Sequence, residues 1–227
     1  NSAFTAVGLV NGNSIASVTL TSAGSSATAN VGAYSLAVSA AQATSGTSLS
    51  NYIISYTPGT LNITPAPITV TANDQSTTYG TALTLGSSAY TVSGLLNGNT
   101  ITSVVLTQGS NTTVPGTQAA GTYSGSGNGI LASSAVASAG TSLANYAVTY
   151  VPGILTINPK ALTITANNQS STYGTALTLG NIAFNTSGLV NGDAVSAVTL
   201  TQNASSTIPA TQNAGTYSGA INGILAS

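Results

Sequence analysis

The sequence predicts an all-β protein, built of tandem β-sandwich-like or β-grasp-like repeat domains of about 94 residues arranged as a rod. Three observations carry this expectation. Strand-like runs alternate apolar residues with Thr, no segment sustains the 3.6-residue period of a helix, and the whole pattern recurs at a fixed offset.

The recurrence comes first because it sets the frame. Tyr79-Gly80-Thr81 returns as Tyr173-Gly174-Thr175, Asn97-Gly98 as Asn191-Gly192, and Gly121-Thr122-Tyr123 as Gly215-Thr216-Tyr217. Asn51-Tyr52 returns as Asn145-Tyr146 and Pro58-Gly59 as Pro152-Gly153, and each of these offsets is 94 residues. Residues 65–133 and 159–227 are identical at more than half of their positions. The frame is a partial repeat at 1–64, a complete repeat at 65–158 and a second partial repeat at 159–227. Asn1-Ser2-Ala3-Phe4 matches Asn181-Ile182-Ala183-Phe184, so the frame opens in mid-repeat, and it closes in mid-repeat at Ile224–Ser227. The chain therefore reads as a window from a longer array. Mutual completion of the two partial repeats between subunits is disfavoured, because 181–227 duplicates 1–39.

The strand elements follow in order. Val18–Thr21 and Val198–Thr201 alternate, as do Ile68–Ala72 and Leu162–Ala166. Tyr146–Tyr150 places its large residues at even positions, whereas Leu155 and Ile157 beyond Pro152-Gly153 are odd. Tyr52, Ile54 and Tyr56, followed by Leu61 and Ile63 beyond Pro58-Gly59, show the same change of phase. A parity change within one extended run predicts a β-bulge at each Pro-Gly. Asn-Gly pairs at 97–98, 128–129, 191–192 and 222–223 predict turns with positive φ. The Gly-rich stretch 123–129 reads as a flexible turn, and Leu95–Ile101 as a single helical turn. From Asn11 to Asn51 is 40 residues, against 48 from Asn97 to Asn145. The eight missing residues are expected opposite Gly109–Gln118, which marks that stretch as a variable loop. Pro65-Ala66-Pro67 and Asn158-Pro159-Lys160 form short, stiff junctions.

Composition excludes most function classes. The chain lacks His, Cys, Glu, Arg and Met, and its only charged side chains are Lys160, Asp74 and Asp193. Catalysis needs groups that carry protons or attack carbon, and the abundant Ser, Thr and Tyr have no base to activate them. No catalytic residue, cofactor or metal site is expected. Phosphate binding needs Lys and Arg, so nucleic acid is not a partner. No apolar run reaches membrane-span length. With 42% hydrophobic residues and almost no charge, the chain has the opposite balance to a disordered one.

At this point the residues resemble a known family. The runs ALTITANNQSSTYGTALTL at 161–179, SGLVNGDAVSAVTLT at 187–201 and NAGTYS at 213–218 are similar to the MBG domain of the YGX type. NYAVTYVPGILTINPKALTIT at 145–165 looks like the end of one such domain running into the next. The resemblance implies a large bacterial adhesin similar to filamentous haemagglutinin, secreted and displayed at the cell surface or in biofilm. It offers no catalytic residues to carry over. It marks Tyr79 and Tyr173 as the characteristic tyrosine, with Gly80 and Gly174 beside them. The expected role is structural, a ring packed at a loop with its hydroxyl satisfied, rather than ligand stacking. Typical repeats of the family carry more charge near the Tyr-Gly than the Ser, Thr and Asn found here.

The charged fraction of 1% compares with about 25% in ordinary soluble domains. Folding and association should respond weakly to salt, and trypsin has one target, Lys160. Edge strands lack the Lys that normally blocks edge-to-edge pairing. The expected partners are neighbouring repeats and other copies of the chain. The function expected is a structural, self-associating segment of an adhesin or extracellular filament. The alternative is a module that binds glycan or a host surface, disfavoured because the loop 109–118 carries no aromatic residue. Thr69, Thr71, Thr163 and Thr165 are read as ordinary exposed strand residues, not as an ice- or glycan-binding grid. Asn-x-Ser/Thr tripeptides at Asn62, Asn111, Asn168, Asn185 and Asn203 are common by chance in such a composition.

Overall fold

A computed structural model describes residues 3–227; Asn1 and Ser2, which open the match to Asn181–Phe184, lie outside the described residues. The alternating runs form strands and helix is confined to short turns, so the fold is all-β. The first partial repeat contributes β1 (Ile15–Thr21), β2 (Gly32–Ala43) and β3 (Gly59–Ile63). The complete repeat contributes β4 (Ala66–Ala72), β5 (Gln75–Thr78), β6 (Leu83–Thr84), β7 (Tyr90–Ser93), β8 (Ile101–Gln108), β9 (Thr113–Val114) and β10 (Gly121–Tyr123). It continues with α1 (Gly125–Asn128), β11 (Ile130–Ala137), β12 (Tyr146–Val151) and β13 (Leu155–Asn158). The last partial repeat contributes β14 (Thr163–Ala166), β15 (Leu177–Thr178), β16 (Phe184–Ser187), β17 (Leu200–Thr201), β18 (Thr207–Ile208), α2 (Gly219–Asn222) and β19 (Leu225–Ala226).

These elements form two compact units. The first runs to Ala72 and adds Ser87–Val105 and Ala132–Val151; the second comprises Asn73–Gly86, Leu106–Leu131 and Pro152–Ser227. Repeat frame and unit are out of step, since the complete repeat gives β4, β7 and β12 to one unit and β5, β10 and β13 to the other.

In the first unit, β1-β2-β3 is an antiparallel sheet. A second sheet has the order β12-β4-β7, with β12 parallel and β7 antiparallel to β4. The alternation of β4 decides what is buried: Ile68, Val70 and Ala72 go inside with Val104 and Tyr146, while the Thr residues between them stay half-exposed. Full burial of a side chain such as Val70 contributes about 1.5–3 kcal/mol. In the second unit, the sheet β10-β13-β5 again pairs its central strand in parallel, β13 with β5. Leu106, Val114, Ile130, Leu155 and Ile157 are buried there. A separate cluster of Leu179, Val198 and Leu200 is packed by Ile164, Phe184 and Ile208.

The opening and closing strands of the complete repeat thus run side by side in the same direction. Tyr146 pairs with Ala66 and Val151 with Thr71; after a break, Leu155 pairs with Gln75 and Asn158 with Thr78. The offset is 80 residues on both sides of the break. The expected bulge at Pro152-Gly153 is therefore corrected. A bulge adds a residue to one strand and shifts the offset, whereas here both strands are interrupted together. The parity change is real, from buried Tyr146 to buried Leu155 and Ile157. Other partners take up backbone groups at the break. Gly153 exchanges two backbone bonds with Ile130, both 2.9 Å, and the Ile154 N–H donates to Asp74 Oδ1 at 2.7 Å. Pro152, which has no N–H, suits an interrupted ladder.

A true bulge lies elsewhere. Between β1 and β2, Ser17 pairs with Gln42 but Thr19 with Ser39, and Ala40 has φ of 48°. The freed Ala41 N–H donates to the Tyr56 hydroxyl at 3.0 Å. The complete repeat matches it with Ser134 at φ 49° and Ala135 N–H on the Tyr150 hydroxyl at 3.0 Å.

Five further expectations are corrected. Gly32 pairs with Ile63 as Gly121 does with Ile157, and Leu36 pairs with Gly59 as Ile130 does with Gly153. The equivalence fixes where the first repeat is shorter: three residues are missing opposite 108–120, and five opposite α1, which β2 bypasses as one continuous strand. Stretch 123–129 is accordingly a helical turn. Gly129 and Gly223 have φ of −73° and −82°, so the pairs 128–129 and 222–223 do not need positive φ. Close approach requires those glycines instead, a Cβ on Gly129 lying 2.6 Å from the Gly153 carbonyl oxygen. Leu95–Ile101 forms no helix; Asn97 and Gly98, at φ 54° and 71°, make a turn closed by Asn99 N–H to Leu96 O at 3.0 Å. Finally, 52–58 is not a strand and has no ladder partner among the described residues, whereas its counterpart β12 has β4.

Candidate functional site

Eight of the ten tyrosines bond their hydroxyl to a backbone or amide group in a recurring way. Tyr34, Tyr123 and Tyr217 each donate to the carbonyl four residues earlier, on Asn30, Ala119 and Asn213, at 2.8 Å. Tyr52 and Tyr146 sit under the Asn-Gly turns, accepting from Asn13 Nδ2 at 2.6 Å and Asn99 Nδ2 at 2.7 Å. Tyr56 and Tyr150 seal the bulges, and Tyr90 donates to Ile101 O at 2.8 Å. Tyr79 and Tyr173 stand apart. Among the described residues no hydrogen bond to either hydroxyl is found, and Tyr173 is 69% exposed while Tyr79 is half-buried. The packed ring with a satisfied hydroxyl, expected from the sequence, is thus not what the structure has at Tyr173.

The neighbouring glycine has the more definite role. Gly80, at φ 91°, donates its N–H to Gly116 O at 2.9 Å, and Gly174, at φ 87°, does the same to Ala210 O at 3.1 Å. A Cβ on Gly80 would lie 2.7 Å from Val190 Cγ2. Val190 belongs to the next repeat and precedes its Asn-Gly turn, so the glycine is a socket for the following repeat. Beside it, Asn191 Nδ2 donates to Gly116 O at 3.0 Å. Pro58-Gly59 lies away from such a junction, with Gly59 opposite Leu36, and Pro152-Gly153 sits at the break described above.

The other junction uses the same chemistry. Asn97, the counterpart of Asn191, donates through Nδ2 to Ala27 O at 3.3 Å, and Ala27 is the counterpart of Gly116. Asn145 adds a pair of contacts: its Oδ1 accepts from Val31 N–H at 2.8 Å, and its Nδ2 donates to Asn30 Oδ1 at 2.9 Å. The sequence reading singled out the Tyr-Gly and passed over Asn97, Asn145, Val190 and Asn191. The signal for Asn97 and Asn191 is the recurrence of Asn-Gly at a fixed offset, and for Asn145 that of Asn-Tyr; the former reads as turn chemistry alone.

The last partial repeat also holds a groove of about 760 Å³, lined by Ala166, Gln169, Leu177, Ile208, Tyr217 and Leu225 among others. Its lining carries no charged side chain. In the complete repeat the corresponding place, beside β5 and β10, is filled by β13.

The profile of the MBG domain (YGX type) matches residues 1–62, 68–156 and 162–227. The chain belongs to the MBG family. No curated protein and no solved structure matches it. The three matched segments are tandem MBG copies, and MBG domains are a repeat module of large surface proteins. In the central MBG copy the Tyr-Gly of the family's description is Tyr79-Gly80, so the glycine of that motif is the residue on which the next copy rests. No helix among the described residues is long and apolar enough to cross a membrane.

Proposed function

We propose that this MBG array is a structural, non-catalytic segment of a secreted bacterial surface adhesin or extracellular filament, and that it associates with other copies of itself. The observation that carries the reading is the repetition of one contact, an Asn amide on a backbone carbonyl, at both junctions between successive repeats. A chain that joins its repeats by the same short-range geometry each time is built for length rather than for a single site. The lack of charge supports self-association, because nothing on the edge strands repels a second copy. The non-catalytic reading is supported by the chemistry of the groove, whose lining offers amides, hydroxyls and apolar groups but no proton carrier near neutral pH. The alternative, a glycan- or host-surface-binding module, has weaker support, because the groove's counterpart in the complete repeat is occupied by the chain's own strand.

Cryo-electron microscopy of the native material tests this. Filaments whose axial step equals one or two repeats are the expected result. Single, unassociated chains that bind a glycan array would replace the reading with the alternative.

A further inference from the structure

Asn-Gly occurs both in the junction turns, at 97–98 and 191–192, and at the ends of α1 and α2, at 128–129 and 222–223. The pair is chemically labile: with no side chain on the glycine, its nitrogen can reach the side-chain carbonyl carbon of the asparagine before it. In α1 and α2 that nitrogen is engaged. Gly129 N–H donates to Gly125 O at 2.9 Å, and Gly223 N–H to Gly219 O at 2.8 Å. The carbonyl of the same peptide is engaged too, Asn128 O accepting from Gln108 Nε2 at 3.3 Å and Asn222 O from Gln202 Nε2 at 2.9 Å. Both of these glycines are buried. The junction turns are the reverse. Gly98 and Gly192 are exposed, and a Cβ on either would meet nothing within 4 Å. Among the described residues no hydrogen bond from either N–H is found. One backbone bond closes each turn, from Asn99 N–H to Leu96 O and from Asp193 N–H to Val190 O.

We propose that Asn97 and Asn191 are sites of spontaneous deamidation, and that the reaction loosens the junctions they hold. The Gly98 or Gly192 nitrogen gives its proton to water and bonds to Cγ of the preceding asparagine. The bond from Cγ to Nδ2 breaks, ammonia leaves after taking up a proton, and a cyclic imide remains. Water then opens the imide at either carbonyl, giving aspartate or isoaspartate, and nothing is oxidised or reduced. The Nδ2 donor that reached Ala27 O at 3.3 Å, or Gly116 O at 3.0 Å, is gone, and a carboxylate that can only accept stands in its place. Each event also adds one negative charge to a chain whose formal net charge is −1. The junctions thus carry a self-modification that needs no enzyme, at the very amides that join one repeat to the next. The inference needs only the internal junctions and is independent of self-association.

The test ages the intact chain in warm neutral buffer and follows each Asn-Gly by peptide mapping and mass spectrometry. Asn97 and Asn191 should convert at least about tenfold faster than Asn128 and Asn222, the factor set by first breaking one buried amide hydrogen bond. In concentrated urea, where the sequence pair is the same and the fold is gone, the rates should converge. The junction is read separately. Aged chain cut at Lys160 should release 161–227 on gel filtration more readily as conversion at Asn191 rises. Asn191→Gln, whose longer side chain cyclises far more slowly, should hold that fragment equally well before and after ageing. Equal rates at the junction and helical-turn sites of the folded chain overturn the proposed sites. So does a lack of conversion at Asn97 and Asn191 in the folded chain when urea permits it. Conversion at Asn191 that leaves the hold on 161–227 unchanged overturns the loosening.

Discussion

At the residue scale, much of the backbone's irregularity is secured by tyrosine hydroxyls. Ala135 N–H, freed by the bulge at Ser134, has the Tyr150 hydroxyl as its acceptor at 3.0 Å. Tyr150→Phe should cost about 1 kcal/mol and speed exchange of the Ala135 amide, read by hydrogen exchange and NMR. Ala40 holds φ of 48°, where an L-residue is strained by about 1–2 kcal/mol. Ala40→Gly removes that strain at a smaller entropic cost and should raise the urea midpoint of the first unit. Neither position was legible in the sequence, because Ala and Ser carry no mark of positive φ, whereas the Asn-Gly turns at 97–98 and 191–192 were. The motif tyrosines were legible as a pattern but not in their role. What matters beside Tyr79 is the bare backbone of Gly80, and a glycine's use as a socket depends on a residue 110 positions away.

At the element scale, the strands of the complete repeat were largely readable from period-2 alternation, and their burial followed it: Ile68, Val70 and Ala72 face inward. Their partners were not readable. A parallel pairing of first and last strands at an offset of 80 leaves no local signature, since parallel strands need no shared turn. The same runs behave differently where that partner is missing among the described residues. Leu162, the counterpart of buried Ile68, is 44% exposed, and Ile54, within the unpaired 52–58, is 42% exposed. Alternation therefore proposes a strand, and pairing decides whether it forms. Leu155 is fully buried in β13, whereas Leu61, its counterpart in β3, is half-exposed. Leu155→Ala should cost about 2–5 kcal/mol and Leu61→Ala clearly less, as measured by urea unfolding of each variant.

At the scale of the whole molecule, the recurrence of about 94 residues marks tandem repeats, but it hides how the compact units are composed. Sequence identity marks where a pattern begins again, and packing does not have to begin there. The contacts between repeats make a prediction at this scale. Lys160 is exposed and is the single trypsin target, so one cut separates residues 1–160 from 161–227. The pieces should still elute together on gel filtration, held by Val190 over Gly80 and Asn191 on Gly116 O. Asn191→Asp should make them separate more readily. Added salt should not release them, because the contacts involve no charge pair to screen.

The parallel ladder also governs how the complete repeat answers to tension. A pull transmitted along the chain draws β4 by its beginning and β13 by its end. Because the paired strands point the same way, that pull is directed along them and not across them. The hydrogen bonds from Ala66–Tyr146 to Thr71–Val151 in the first unit are then loaded in shear instead of opening one after another like a zip, and so, in the second unit, are those from Gln75–Leu155 to Thr78–Asn158. Parallel closure thus makes each of these two ladders a mechanical clamp against stretching of the chain.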